Sequence, residues 1–334
     1  MQNDTLLSGI DAQLGGGPRR WSDVVVVRNV GPLTTAVPLE GDVISNRGFN
    51  ALLCSAGGGQ KHFLKLRPIH HRLFDREATL TALLSSREGT RSLVPASRTF
   101  TVGPARILAQ EFVAGRSLDL LVRTRHREGW QQPAAQVLRA AAPLWEGITE
   151  VVAAAGFGLS PGLSDTASLL ADLDLLASQR VDAGVIRLLR ARLESAHLPS
   201  VPQHGDFWPR NVLVTGNGWR VLDFECCGDV TLPLYDILHF LRGCAESAGG
   251  DQIRSSEPWL RAIGGSGALL QEFRLIAGPL KEEVVEAALV AYLVDFAARL
   301  HRRGIAPERI NGRLRELEAL PATLDGGAVR ALMS

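Results

Sequence analysis

Apolar and polar positions alternate in two different ways along this chain. From Trp21 to about Leu66 the apolar residues fall in short, β-branched or alternating runs. "DVVVVRNV" (23–30), "NALLC" (50–54) and "HFLKL" (62–66) are the clearest, and Gly-rich turns such as Gly57-Gly58-Gly59 separate them. This pattern predicts strands. "DREATLTALLSS" (75–86) places Ala78, Leu80, Leu83 and Leu84 on one helical face, with Asp75 as its N-cap. "RILAQEFVAG" (106–115) resumes strand character and stops at Gly115.

Beyond Gly115 the period becomes helical. Residues 117–126, 134–155, 166–178 and 182–196 each carry apolar residues at helical spacing, and helices resume near Pro233, the longest over 281–303. Two short strands, Val212-Leu213-Val214 and Trp219-Arg220-Val221-Leu222, interrupt this region around "TGNG". The fold class expected is α+β, with a small sheet lobe bearing one helix and a larger, mostly helical lobe bearing one hairpin. Residues 1–20, polar and Gly-rich, read as a flexible leader, 21–114 as the sheet lobe and 115–334 as the helical lobe.

Composition narrows the class only slightly. The 334 residues suit two lobes, and 46% hydrophobic with 21% charged residues suits a globular protein with a sizeable core. Thirty-six Lys and Arg against 35 Asp and Glu leave a net charge of +1, so no global field points to nucleic acid or a membrane surface. The apolar run Val284–Val294 contains Glu286 and is too short to span a bilayer. Cys54, Cys226, Cys227 and Cys244 lack C-x-x-C spacing, and the N-terminus lacks a signal-peptide pattern. Buried free thiols and a cytoplasmic location are expected.

The candidate chemistry lies in "VPQHGDFWPRNVLVTGNGWRVLDFE" (201–225). Carboxylates near an apolar strand are costly unless something charged is held between them. Asn-Gly is a strong hairpin signal. With a three-residue loop, Gly216-Asn217-Gly218, Asn211 falls directly opposite Asp223, with Cβ atoms about 5 Å apart. An amide oxygen and a carboxylate at that separation form half a cage for a hard divalent cation. A loop of two or four residues shifts the register. Asp206, in the loop before the first strand, is placed to accept a hydroxyl proton beside a metal–phosphate group. Read singly, Asn211 and Asp223 suit turn caps and Asp206 a solvated loop acid.

"HGDFWPRN" followed by "LDFE" resembles the catalytic loop and metal-binding motif of the aminoglycoside phosphotransferase and choline kinase families, which share the two-lobed protein-kinase-like fold. "LPLYDILHF" resembles their Pro-x-x-Asp helix start. The resemblance implies ATP- and Mg²⁺-dependent transfer of the γ-phosphoryl group to a hydroxyl of a small molecule such as an antibiotic, sugar or amino alcohol. It implies Asp206 as catalytic base, Asn211 and Asp223 as Mg²⁺ ligands, and Glu225 at a second metal or the substrate. Asp236 would brace the loop.

In the sheet lobe the resemblance implies a phosphate-neutralising lysine at the end of a strand, Lys65, held by Glu77; Glu88 also follows but lies on poorer helix. It implies a phosphate loop at Ser45, Asn46 and Gly48, and adenine recognition by the Glu111 carbonyl and Val113 N–H. Trp208 stands where protein kinases carry a lysine, and no long activation segment follows "LDFE". Both departures favour a small acceptor. The other readings kept are a choline- or ethanolamine-type metabolic kinase and a catalytically silent nucleotide-binding pseudokinase. Acids and arginines are interleaved among residues 257–303, so the acceptor's charge stays open.

Overall fold

The structure is a computed structural model and describes residues 10, 12–14, 21–30, 33–38, 49–55, 61–68, 72–103, 105–124, 129–156, 166–179, 181–249, 257–302, 304–305 and 307–334. It is mixed α+β and divides into two compact units, Met1–Ala114 and Gly115–Ser334.

The first unit is built on six antiparallel strands. In chain order they are β1 (Trp21–Val30), β2 (Leu33–Pro38), β3 (Phe49–Ser55) and β4 (Lys61–Pro68), then helix α1 (Arg72–Ser86), β5 (Ser97–Val102) and β6 (Ala105–Glu111). Their order across the sheet is β2-β1-β3-β4-β6-β5. The sequence reading found β1, β3, β4 and β6. It found neither β2 nor β5, which are the two edges. An edge strand needs less apolar surface, and "SRTFTV" buries only Val102 fully. Helix α1 starts at Arg72, so Asp75 lies in its first turn rather than at its N-cap, and pairs with Arg106. A carboxylate there still complements the positive helix end.

Alternation along β4 decides what each face touches. Leu64 and Leu66, almost fully buried, join Ile107 and Ala109 of β6 against Ile10 and Leu14. Those last two belong to the first twenty residues, and the Leu14 carbonyl accepts a hydrogen bond from Arg98 at 2.8 Å, so this part of the leader is packed on the sheet. Lys65 points to the other face. Its neighbour across the ladder is Leu108, and Leu108 packs on Phe74 and Ala78 of α1. The pleat therefore delivers Lys65 to the helix that follows.

The second unit begins with β7 (Arg116–Ser117) and α2 (Leu118–Thr124), followed by α3 (Gln131–Ala154), α4 (Thr166–Ala177) and α5 (Ala183–Ser195). Next come the hairpin β8 (Val212–Thr215) and β9 (Gly218–Val221) and helix α6 (Tyr235–Gly249). The unit ends with α7 (Glu257–Gly264), α8 (Gly267–Ala277), α9 (Glu282–Arg302), α10 (Pro307–Asp325) and α11 (Ala328–Met333). Asp182 caps α5, accepting from the Gly184 and Val185 N–H groups. Helix α9 is apolar nearly all round from Val285 to Ala298, and packs against α4, α5, α6 and α10 as the centre of the unit. Among the described residues no helix is long and apolar enough to cross a membrane.

The hairpin loop has two residues, Gly216 and Asn217, not three. Val212 pairs with Val221 and Thr215 with Gly218. The Thr215 hydroxyl closes the turn, accepting the Asn217 N–H and donating to the Gly218 carbonyl. Gly218 takes φ +111°, open to glycine at no steric cost. The residue opposite Asn211 is consequently Leu222, whose N–H donates to the Asn211 carbonyl at 2.8 Å. Asp223 lies one step beyond the ladder.

Candidate active site

The segment leading to the motif is fixed before the motif begins. The Val201 and Gln203 N–H groups donate to the Thr231 and Val230 carbonyls, and Gln203 Oε1 accepts the Asp236 N–H. Asp236, buried in the first turn of α6, returns the interaction. Its Oδ2 accepts the His204 N–H at 2.6 Å and the Trp145 indole N–H at 3.1 Å, and its Oδ1 accepts the Gly205 N–H at 2.9 Å. Burial pushes the Asp236 carboxyl above its ordinary value, and His204 and these donors pull it back. The His204 ring completes the frame. The Asp206 N–H donates to Nδ1, so Nε2–H donates to the Leu222 carbonyl at 3.1 Å and ties the loop to the end of β9.

This frame presents Asp206. Asn211 Nδ2 donates to both the backbone oxygen and Oδ2 of Asp206 at 2.9 Å, closing the loop through the turn Pro209–Asn211. Oδ1 faces His239 Nε2 at 3.5 Å, and the exposed Arg210 guanidinium reaches within 3.6 Å of Oδ2. Burial raises the Asp206 carboxyl, but His239, Arg210 and His204 outweigh it and hold the group at about 2. Burial also keeps His239 below its ordinary value. At neutral pH, then, Asp206 is a carboxylate beside a neutral imidazole.

Asp223 follows β9 at φ 66°, ψ 67°, a left-handed conformation rare for a residue with a side chain. Leu234, just before α6, has φ 59°. Such strain gathers at functional sites and persists only where the surroundings enforce it. After the turn Phe224–Cys226, a cleft of about 280 Å³ is lined by Asp206, Asp223, Glu225 and Cys226. Within the second unit, the structure thus brings Asp206, Asn211, Asp223 and Glu225 together, although the register that first suggested it is shifted by one residue. Among the described residues no group of three or more His, Cys, Asp or Glu could hold a metal unaided.

In the first unit, Lys65 Nζ lies 2.5 Å from Glu77 Oε1, both buried, while Glu88 is exposed beyond the end of α1. Lys65 sits inside β4 rather than at its end, because the strand continues to Pro68. Glu111 ends β6 with its N–H on the Ala96 carbonyl, and residues 112–115, Val113 among them, have no regular structure. Ser45, Asn46 and Gly48 lie outside the described residues.

The sequence reading missed His239, Trp145 and Arg210, and took Tyr292 only as a core or pocket-lining aromatic. His239 had a signal: it lies three residues after Asp236 on a helix, hence on the same face. Trp145 had none, and Tyr292 none that pointed to His239, since an aromatic on a buried helix reads first as core. Cys226, Cys227 and Cys244 are free thiols. The acids of the later helices are mostly matched: Glu272 by Arg139, Asp295 by Arg299 at 2.6 Å, and Glu286 by Arg192. Glu286 is half-buried.

No curated protein matches the chain at a significant level. Solved structures resemble it in fold, two phosphotransferases among them. The macrolide 2'-phosphotransferase of Brachybacterium faecium, as apoenzyme, has 15% identity and a TM-score of 0.55, over 92% of this chain and 97% of that one. The GDP complex of a point mutant of aminoglycoside 2'-phosphotransferase-IIIa has 14% identity and a TM-score of 0.51, over 97% and 99%. At such identity the likeness is one of fold, and both neighbours are kinase-like phosphotransferases. The sequence supplies the membership: residues 43–258, well over half the chain, match the profile of the phosphotransferase enzyme family (APH), and the chain belongs to that family.

Proposed function

We propose that the chain transfers the γ-phosphoryl group of ATP to a hydroxyl of a small molecule, with Asp206 as the acid that orients and deprotonates that hydroxyl. The observation that carries this reading is the convergence of Asp206, Asp223 and Glu225 on one cleft, with Asn211 bonded to Asp206. Asn211 directs its Nδ2 to Asp206, which leaves its acceptor oxygen for another partner. An amide oxygen and the Asp223 carboxylate form the hard oxygen set that suits Mg²⁺, which takes one or two carboxylates and completes its shell with water and phosphate. Asn211 and Asp223 are the residues that would hold it. Bound there, the ion would neutralise charge on the phosphate oxygens.

The remaining roles fall to the protein's own groups. Lys65, held by Glu77, neutralises the α and β phosphates; Ser45, Asn46 and Gly48 cover them; Glu111 and Val113 bond the purine edge through their backbone. Asp206 needs no large pKa shift for its task. Phosphoryl transfer demands positioning and charge neutralisation more than a strong base. Glu225 meets a second metal or the acceptor.

ATP is the donor proposed, with GTP tested beside it because one neighbour is a GDP complex. The test is nucleoside-diphosphate release over a panel of hydroxyl acceptors, including an aminoglycoside, a macrolide, sugars, amino alcohols and nucleosides. Acceptor-dependent release that disappears in Asp206→Ala, with ATP still bound, supports the reading. ATP binding with no transfer to any acceptor would favour a silent nucleotide-binding protein.

A further inference from the structure

His239 is almost fully buried beneath Asp206, and none of the motif residues explains it. Its ring is clamped by Trp208, Tyr235 and Phe296 at centroid distances of 4.7, 5.7 and 5.1 Å, so it cannot swing away. One ring nitrogen, Nε2, faces Asp206 Oδ1 at 3.5 Å, and the other, Nδ1, faces the Tyr292 hydroxyl at 3.3 Å. Catalytic hydrogen bonds are often long before substrate arrives and close with it.

Donor and acceptor logic then fixes the tautomer. Burial pushes the Tyr292 phenol far above its ordinary value, so it keeps its proton. The cation beside it, Arg242, has no acceptor atoms and is itself held by Glu316 at 2.7 Å. The Tyr292 O–H therefore donates to His239 Nδ1. A neutral imidazole that accepts at Nδ1 carries its proton on Nε2, the nitrogen facing Asp206.

We propose that His239 is a positioning residue for Asp206: its Nε2–H, oriented by Tyr292, holds Oδ1 while Asn211 holds Oδ2, fixing the carboxylate plane that an incoming hydroxyl meets. This rests on the reading of Asp206 as the hydroxyl-orienting acid. The two side chains grip opposite oxygens, so losing either lets the carboxylate rotate. A misplacement of about 1 Å costs on the order of 100-fold in rate.

The experiment has two readouts. The first needs no acceptor: nitrogen-15 histidine NMR of the full chain. The His239 ring is expected as the Nε2–H tautomer, and Tyr292→Phe is expected to raise the Nδ1–H population. A wild-type ring protonated on Nδ1, or one indifferent to Tyr292→Phe, overturns the proposal. The second is turnover with the acceptor found in the panel. His239→Leu is expected to lower kcat by about 10- to 100-fold with the KM for ATP unchanged, and His239→Gln, which keeps a donor at similar reach, to recover most of it. Wild-type kcat in a folded His239→Leu, or a His239→Gln as slow as His239→Leu, overturns it too. Asp206→Ala separates the two ideas. If that variant keeps wild-type turnover, the functional reading fails; if it is inactive and His239→Leu is not impaired, only the role of His239 does.

Discussion

Gly205 packs directly on the backbone of Cys226: a Cβ at Gly205 would stand 2.5 Å from the Cys226 carbonyl oxygen, and Gly205 has φ +79°. Both facts forbid a side chain between His204 and Asp206. Gly205→Ala is expected to cost about 1–2 kcal/mol from the left-handed backbone alone. The clash adds a shift of the loop that carries Asp206. Turnover is expected to fall on the order of 100-fold, as for other small displacements of a reacting group. Thermal unfolding measured beside kcat distinguishes this from simple loss of folded protein. A folded variant with unchanged kcat would show that the loop tolerates the movement.

The pair Lys65–Glu77 makes the second prediction. The two residues are 6% and 3% exposed, so removing one partner breaks a buried ion pair. Glu77→Ala is expected to destabilise the protein by about 3–5 kcal/mol. Glu77→Gln keeps an oxygen acceptor for the ammonium and is expected to cost less. Urea unfolding reads both. A cost below about 1 kcal/mol for Glu77→Ala would mean that the pair is solvated and contributes as a surface bridge does.

Much of this was legible in the residues, for physical reasons that differ by element. The helices of the second unit were found within a few residues because burial on α9 and its neighbours imposes a helical period. The interior strands were found because "DVVVVRNV" and "HFLKL" carry β-branched or alternating apolar runs. An edge strand such as β5 needs no such run. The hairpin register depended on a turn whose closure by Thr215 is a three-dimensional detail, and a change of one residue moved Asn211 opposite Leu222. Asp223 still lines the cleft beside Asp206, because its left-handed backbone turns the chain out of the strand path. The support of Asp206 by His239 and Tyr292 was not legible: it joins residues 33 and 86 positions away, on two helices whose periodicity speaks only of packing.

Asp172 on α4 predicts a pH dependence of stability. Burial, opposed by Arg302 and aided by the Asp295 carboxylate, raises its carboxyl to about 6. Below pH about 4 folded and unfolded chains both hold this proton. Between about 4 and 6 the unfolded chain releases it while the folded chain keeps it. The unfolded state then binds fewer protons, so this group's contribution to stability falls as pH rises through that window and stays low above it. Asp172→Asn is expected to remove that slope and to leave the protein at least as stable as wild type at pH 7. Urea unfolding at pH 4, 5, 6 and 7 tests it. A wild-type profile matching that of Asp172→Asn across the window would assign Asp172 an ordinary pKa.

Asp236 supplies the last prediction, and the sharpest test of how the loop that carries Asp206 is held. Its two oxygens accept three hydrogen bonds, from the His204 and Gly205 N–H groups and the Trp145 indole. All three partners are donors only. Asp236→Asn replaces one acceptor oxygen by an amide that can only donate, so it sets donor against donor at a buried site. Leaving a buried N–H unpaired costs about 1–3 kcal/mol. The affected groups lie one and two residues before Asp206, so the loss is expected in kcat as well as in stability. Nucleotide binding is expected to change little, because Lys65 and Glu77 lie in the other unit. Asp236→Ala leaves room for water to reach those N–H groups, and is expected to be no worse than Asp236→Asn in stability despite the larger deletion. If Asp236→Asn instead keeps both wild-type stability and kcat, the loop is held by the Gln203 and His204 contacts alone.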